Sequence, residues 1–136
     1  MSEAGSAQKR RVRAWFRALG ACDYPALAEL MAEDVELWTA PSLRPGPIVG
    51  RDAALERLEA VLSGGSVFEA GSLDCEVARI LSEGDETAAR VHMSGRFPDG
   101  NAYESVYLVW QRWREGRMSY QFELFDAAHK NQQREG

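Results

Sequence analysis

Residues 87–125, in the last third of the chain, read TAARVHMSGRFPDGNAYESVYLVWQRWREGRMSYQFELF and give the clearest indication of the architecture. Runs in which apolar and polar side chains alternate are typical of strands with one buried face. Two short segments, Pro98-Asp99-Gly100-Asn101 and Glu115-Gly116, interrupt these runs and are typical of hairpin turns. We therefore predict three long strands, over residues 87–97, 103–114 and 118–125.

The first half of the chain has a different period. Val12, Trp15, Phe16 and Leu19 recur at helical spacing and predict an amphipathic helix over residues 8–21. A second helix is expected from an N-cap at Asp23 to about residue 34, and a third over residues 52–62.

The remaining segments are predicted as strands and one loop. Short strands are expected over residues 35–39, 67–73 and 76–82. The proline- and glycine-rich segment 41–50 is expected to form a stiff loop, because proline cannot occupy a central strand.

Three helices followed by hairpin-linked strands predict an α+β fold. Strands of about ten residues exceed the usual length, so we expect a strongly curved antiparallel sheet with the three N-terminal helices in its concave face. This cone-shaped barrel would leave a conical apolar cavity, which is the default place for a small ligand. Residues 8–128 would form the domain, with a disordered tail over 1–7 and a polar tail over 129–136.

Composition excludes several classes of function. The net charge of −5 and the pI near 5.1 argue against a nucleic-acid partner. No apolar run is long enough to cross a membrane, and residues 1–8 lack the apolar core of a signal peptide. Cys22 and Cys75 are far apart, which favours free thiols in a reducing cytoplasm. His92 and His129 have no ligand-spaced partners, so no metal is expected. Gly64-Gly65 follows a predicted helix instead of opening one, so no phosphate-binding loop is expected either, and no cofactor.

Three ionisable side chains are the candidate catalytic residues. Arg90 and His92 share one face of a strand, and a curved sheet could bring Glu123 to the same side. Arg90 would then favour a charged Glu123 and disfavour a charged His92. The structural alternative is a cross-sheet ion pair between Arg90 and Glu123, with His92 merely hydrogen-bonded nearby.

The order of these elements resembles the nuclear transport factor 2-like superfamily, over roughly residues 11–128. That cystatin-like fold group includes SnoaL-like cyclases, ketosteroid isomerases and limonene-type epoxide hydrolases. The resemblance depends on the aromatic pair Trp15-Phe16, the start of the third helix at Val49-Gly50-Arg51-Asp52-Ala53 and the terminal Glu123-Leu124-Phe125-Asp126.

Within that superfamily, residues 90–126 resemble the limonene epoxide hydrolases most. That group has an Arg-x-Asp strand, a Pro-x-Gly hairpin, a long aromatic strand, a Glu-Gly turn and a closing Asp-Tyr-Phe-Asp. Here His92 and Glu123 stand in place of the two aspartates of the family's catalytic triad, and Leu37 and Thr39 in place of its water-holding tyrosine and asparagine. The ketosteroid isomerases place their base near Thr39, and threonine cannot serve as one, which disfavours that activity.

The resemblance implies a cofactor-free enzyme that uses general acid–base chemistry on a hydrophobic metabolite. Epoxide hydrolysis is the specific prediction, with Glu123 activating water, Arg90 orienting Glu123 and the substrate oxygen, and His92 acting as the acid. The alternatives are a polyketide cyclase or isomerase, or a non-catalytic module that binds a small ligand. The expected substrate-binding residues are Trp15, Phe16, Leu37, Thr39, Tyr107 and Val109.

The opposite sheet face is expected to carry Val91 and Met93 and to be exposed and apolar. Such a face usually pairs with a second copy, so we expect a homodimer through the outer sheet face.

Overall fold

A computed structural model describes residues 3–135 of the chain, in which four helices and six strands follow one another. The helices are α1 (Glu3–Ala21), α2 (Tyr24–Leu30), α3 (Arg51–Ser63) and α4 (Ala127–Glu135). The strands are β1 (Met31–Trp38), β2 (Ile48–Val49), β3 (Asp74–Glu83), β4 (Glu86–Arg96), β5 (Ala102–Arg114) and β6 (Arg117–Leu124).

The six strands form one curled, unclosed sheet in the order β2-β1-β6-β5-β4-β3. The predicted α+β class is confirmed, although β1 and β6 pair in parallel while the other neighbours are antiparallel. Register shifts interrupt three of the strand pairs, between Met31 and Glu36, between Val77 and Arg79, and between Arg112 and Trp113. Such irregularities bend strands and increase their twist, which lets the sheet wrap around the helices.

Strand β5 shows how the sequence pattern becomes a two-faced sheet. Its residues alternate strictly between exposed and buried along all 13 positions. Tyr103, Tyr107, Val109 and Trp113 are on the buried side and pack with Trp15 of α1 in the core. The turn from β5 to β6 has positive φ at both Glu115 (53°) and Gly116 (79°), as a tight type I′ hairpin requires.

Three predicted boundaries are wrong in the N-terminal half. Helix α1 begins at Glu3, so residues 3–7 extend the helix instead of forming a tail, and residues 1–2 lie outside the described part. Helix α2 ends at Leu30 because the next residues form β1, whose buried positions Met31 and Val35 belong to the core. Residues 48–49 of the predicted loop form the short edge strand β2.

Two further predictions fail at the ends of the sheet region. Residues 67–73 are an irregular segment rather than a strand, and they include two turn residues around Gly71, whose φ is 72°. Residues 127–135 form helix α4 rather than a polar tail. Asp126 caps this helix by accepting a hydrogen bond from the His129 backbone N–H at 3.0 Å.

Cys22 and Cys75 are both free thiols, and burial raises the pKa of Cys75 to about 12. Within residues 3–135, none of the helices combines the length and the apolar character needed to span a membrane.

Candidate functional site

A cavity of about 170 Å³ lies between the inner face of the sheet and the helices. This volume is below the roughly 300–1,000 Å³ typical of sites for drug-sized ligands. Most of its walls are apolar. The apolar lining includes Trp15, Leu19, Leu37, Leu58, Val61, Leu62, Phe68, Leu73, Met93 and Tyr107. A small ligand with an apolar body would therefore fit the cavity.

Glu123 is the carboxylate of this cavity, since the other Asp and Glu side chains of residues 3–135 do not line it. The residue follows Phe122 on β6 and faces inward, opposite the buried Val109 of β5. Thr39 lies just beyond β1, the strand paired with β6, and its hydroxyl donates a hydrogen bond to Glu123 Oε1 at 3.2 Å.

Burial raises the pKa of Glu123 above the usual range of a glutamate. The hydrogen bond from Thr39 and the positive charges of Lys130 and Arg57 oppose that rise. The Glu123 residue is half-buried: protein atoms surround most of it, and the remainder faces the cavity. A raised pKa makes the ionised carboxylate a stronger base than that of an ordinary glutamate, which suits a general base.

Lys130 reaches the cavity from α4, the helix that the sequence did not predict. Its Nζ lies 4.9 Å from the ring centroid of Phe68, 5.5 Å from that of Phe125 and 5.9 Å from that of Tyr103. These distances are within the range of cation–π attraction. Burial lowers the pKa of Lys130, and the positive charges of Arg134 and Arg57 lower it further.

Two tyrosine hydroxyls meet on the inner face of β5. Tyr103 and Tyr107 are hydrogen-bonded to each other through their hydroxyl groups, and both rings are buried. Burial raises the pKa of both hydroxyls, so they stay protonated at physiological pH. The Tyr107 ring also stacks on Phe125 at a centroid distance of 4.5 Å. Of the two, Tyr107 lines the cavity and is therefore a neutral hydroxyl-bearing side chain of the same site as Glu123.

Two arginines add positive charge to the lining. Arg44, in the loop after β1, and Arg57, on α3, both line the cavity at its solvent-exposed edge. In the described part of the chain, neither guanidinium forms a hydrogen bond or a salt bridge within 4.0 Å.

Residues 12–121 match the model of the SnoaL-like domain family, which is most of the 136-residue chain. The chain belongs to the SnoaL-like family. A comparison of its sequence with curated proteins finds no match.

Solved structures support the same fold for this SnoaL-like protein. A proposed SnoaL-like polyketide cyclase from Jannaschia sp. CCS1 is 18% identical, with a TM-score of 0.80 over 94% of this chain and 91% of that one. A limonene epoxide hydrolase-like enzyme of M. tuberculosis is 14% identical, with a TM-score of 0.76 over 96% and 90%. A proposed ketosteroid isomerase from Kribbella flavida is 20% identical, with a TM-score of 0.71 over 90% and 79%. At these identities, the similarity shows the fold alone.

The structure of the SnoaL-like protein separates the three predicted catalytic residues. Arg90 is exposed on the outer face of β4, and His92 lies on the same outer face, 3.9 Å from Glu104. Only Glu123 faces the cavity. The prediction that the three side chains converge is wrong, and so is the alternative of an Arg90–Glu123 ion pair. The physical reason is the register of β4, which buries Val91 and Met93 and turns their neighbours outward.

Four of the six residues predicted to bind substrate line the cavity of the SnoaL-like domain: Trp15, Leu37, Thr39 and Tyr107. Phe16 and Val109 do not line it; both are buried elsewhere in the core.

Sequence reasoning missed Lys130, Arg44 and Arg57. Asp126 at the N-cap of α4 was the one local signal that a helix follows β6. The arginines lie in a loop and on an exposed helix face, where charged residues are ordinary. Across residues 3–135 of the SnoaL-like protein, no three His, Cys, Asp or Glu side chains are grouped so that they could hold a metal ion.

Proposed function

We propose that this SnoaL-like protein is a cofactor-free enzyme that transfers protons on a small, largely apolar carbonyl compound. Glu123 would be its general base and acid. The observation that carries the proposal is this single carboxyl group, which faces an apolar cavity and has a raised pKa.

In the proposed reaction, Glu123 removes a proton from the carbon beside the substrate's carbonyl group. The electron pair of that C–H bond moves into the carbonyl and forms an enolate, whose oxygen carries negative charge. The ammonium of Lys130, which also lines the cavity, would stabilise that charge. Glu123 then returns the proton to another carbon, which is isomerisation. In a cyclase, the enolate carbon instead attacks a second carbonyl carbon of the same substrate, and the new alkoxide takes the proton.

Two structural neighbours support this proposal, because one is a proposed polyketide cyclase and the other a proposed ketosteroid isomerase. Sequence reasoning disfavoured the isomerase because Thr39 cannot act as a base. Glu123 supplies a carboxylate from the neighbouring strand instead, hydrogen-bonded to that same threonine.

Epoxide hydrolysis is the second candidate, and the epoxide hydrolase-like neighbour from M. tuberculosis favours it. Glu123 and Thr39 would hold and activate the attacking water. The epoxide oxygen would need an acid other than His92, which lies on the outer face of the sheet. Lys130 is the cationic donor on the cavity side that could protonate it.

One pair of assays distinguishes these reactions. The first follows the conversion of 3-cyclohexen-1-one to its conjugated isomer, together with solvent deuterium uptake at the substrate carbons. The second follows incorporation of labelled water oxygen into cyclohexene oxide. We expect activity in the first assay and a loss of about 10²- to 10⁴-fold in Glu123→Gln.

Glu104→Gln is the matched control, because Glu104 is exposed on the outer face and should not affect turnover. Full turnover by Glu123→Gln would contradict the proposal. Ligand binding without turnover in either assay would favour the non-catalytic alternative.

We further propose that the outer sheet face pairs with a second copy of the chain. Val106, Leu108, Trp110 and Leu124 are 53%, 58%, 48% and 46% exposed on adjacent strands of this face. A two-fold interface must complement itself, and the rim of this face carries both charge signs, as in the exposed pair Arg112–Glu86. The proposed dimer therefore still uses the outer sheet face. Val91 and Met93, which were predicted to lie on that exposed face, are buried in the core.

A further inference from the structure

The charge of the cavity is opposite to that of the chain. The 136-residue chain has a net charge of −5, yet the lining includes the three cationic side chains Arg44, Arg57 and Lys130 and the single carboxyl group of Glu123. Low-dielectric walls strengthen the field of such a cluster. The cavity should therefore attract anions even though the net charge of the chain is negative.

The ammonium group of Lys130 has aromatic rings beside it but no acceptor. Within residues 3–135, it forms neither a hydrogen bond nor a salt bridge within 4.0 Å, and it lies over the faces of Phe68, Tyr103 and Phe125. Withdrawing an ammonium from water is costly unless its N–H groups are paired. A negatively charged group on a ligand would supply the missing acceptor.

A second donor without a partner lies in the same wall. Trp15 lines the cavity and is 0% exposed, and its indole N–H has no hydrogen-bond partner in the described part of the chain. Buried N–H groups nearly always have an acceptor. The nitrogen is fully buried, so a ligand oxygen could accept a hydrogen bond from it only if the indole ring moved.

We propose that the cavity binds a small carboxylic acid in its anionic form, with the apolar body of the ligand against the cavity walls and its carboxylate near Lys130 and Arg57. The proposal rests on the proposed function and adds the charge of the substrate to it. The walls favour an organic acid over inorganic phosphate, because they are largely aliphatic and aromatic.

Binding of a matched probe series tests this charge preference. Phenylacetate, phenylacetamide and 2-phenylethylamine have the same ring and nearly the same size, but they are anionic, neutral and cationic at neutral pH. Isothermal titration calorimetry should show phenylacetate binding at least about tenfold more tightly than phenylacetamide. Added salt should reduce this preference, because the arginines lie at the exposed edge of the cavity. Inorganic phosphate should bind weakly.

Lysine occurs at two positions in the chain, Lys9 and Lys130, which provides a matched pair of variants. Lys130→Met should bring the affinities for acid and amide to within about twofold, whereas Lys9→Met on α1 should keep the wild-type ratio. Arg57→Met, at an exposed helix position, should lower the ratio and remains informative if Lys130→Met folds poorly.

Equal affinity for acid and amide would overturn this inference, and so would tighter binding of the amine or no binding of phenylacetate at millimolar concentration. Those outcomes leave the proton-transfer proposal intact, because that proposal depends on turnover by wild type and its loss in Glu123→Gln. Turnover unaffected by Glu123→Gln would remove the proposed function without changing the charge preference.

Discussion

Thr39 donates a hydrogen bond to Glu123 at 3.2 Å, although 84 positions separate the two residues in the chain. The parallel pairing of β1 with β6 makes this contact, with Trp38 aligned to Phe122 immediately before both residues. This hydrogen bond favours the ionised carboxylate and so opposes the effect of burial on the pKa of Glu123.

Removing that hydroxyl should raise the pKa of Glu123 further. In Thr39→Val, we expect the acidic limb of the pH–rate profile to move to higher pH, because the carboxylate loses a donor that favours its charged form. Thr39→Ser keeps the hydroxyl and should retain the wild-type limb. The profile of kcat/KM in the enone assay measures both, and an unchanged limb in Thr39→Val would show that the hydrogen bond does not tune the base.

The stability of the protein should depend on the charge of Glu123. Its folded-state pKa is raised above the unfolded value of about 4.3, so ionisation is disfavoured by folding. Below the unfolded pKa, Glu123 is protonated in both the folded and the unfolded state, so its ionisation does not lower the free energy of unfolding. As the pH rises from the unfolded pKa through the folded pKa, the penalty develops, and above the folded pKa it stays constant.

Glu123→Gln is neutral at every pH and carries no such penalty. We expect its free energy of unfolding to exceed that of wild type at about pH 8 and to converge towards it near pH 4. Urea denaturation at both pH values measures the difference, with Glu104→Gln as the exposed control. A wild type that is more stable than Glu123→Gln at about pH 8 would contradict the predicted sign.

Arg90 and His92 should be dispensable for catalysis. Both lie on the outer face of β4, and the 3.9 Å contact of His92 with Glu104 joins two largely exposed side chains. Arg90→Gln and His92→Gln should therefore keep turnover within about twofold and stability within about 0.5 kcal/mol. A large loss of turnover in either variant, measured in the same enone assay, would mean that the outer face takes part in the reaction.

The outer sheet face should set the oligomeric state. Light scattering coupled to size exclusion should give twice the 15.2 kDa mass of the chain for wild type. Trp110→Glu places a charge in the middle of the apolar face and should give the monomer mass with unchanged secondary structure. Val49→Glu, an equally drastic change at another exposed apolar position, should remain dimeric. Monomeric wild-type protein would exclude pairing through this face.

Local patterns predicted most of the secondary structure. Residues of β5 alternate strictly between buried and exposed, and Val12, Trp15 and Leu19 recur at helical spacing on α1. Each pattern arises because one side of the element is buried, so both elements could be predicted from the sequence. The strand predicted over residues 67–73 is wrong because a short apolar run is also compatible with an irregular segment that covers the core. Phe68 covers the core in this way.

Local sequence patterns did not predict which side of each strand faces the core. Alternation states that Arg90 and Val91 point in opposite directions, but not which of them points inward. On β5, Leu108 and Trp110 are apolar on the outer face, while Tyr107 and Val109 are apolar on the inner one. With apolar residues on both sides, the pattern has no unique solution.

The amino-acid sequence was sufficient to predict the α+β class, the long hairpins and the family, because those depend on periodicity and turn residues along a continuous chain. It also identified Glu123 as a group of chemical interest. Tertiary contacts alone hydrogen-bond Glu123 to Thr39 and expose it to the positive charges of Lys130 and Arg57, instead of bringing it to Arg90 and His92. The site depends on strand register, on the pairing of β1 with β6 and on the docking of α4, and each of these is a contact between residues distant in the chain.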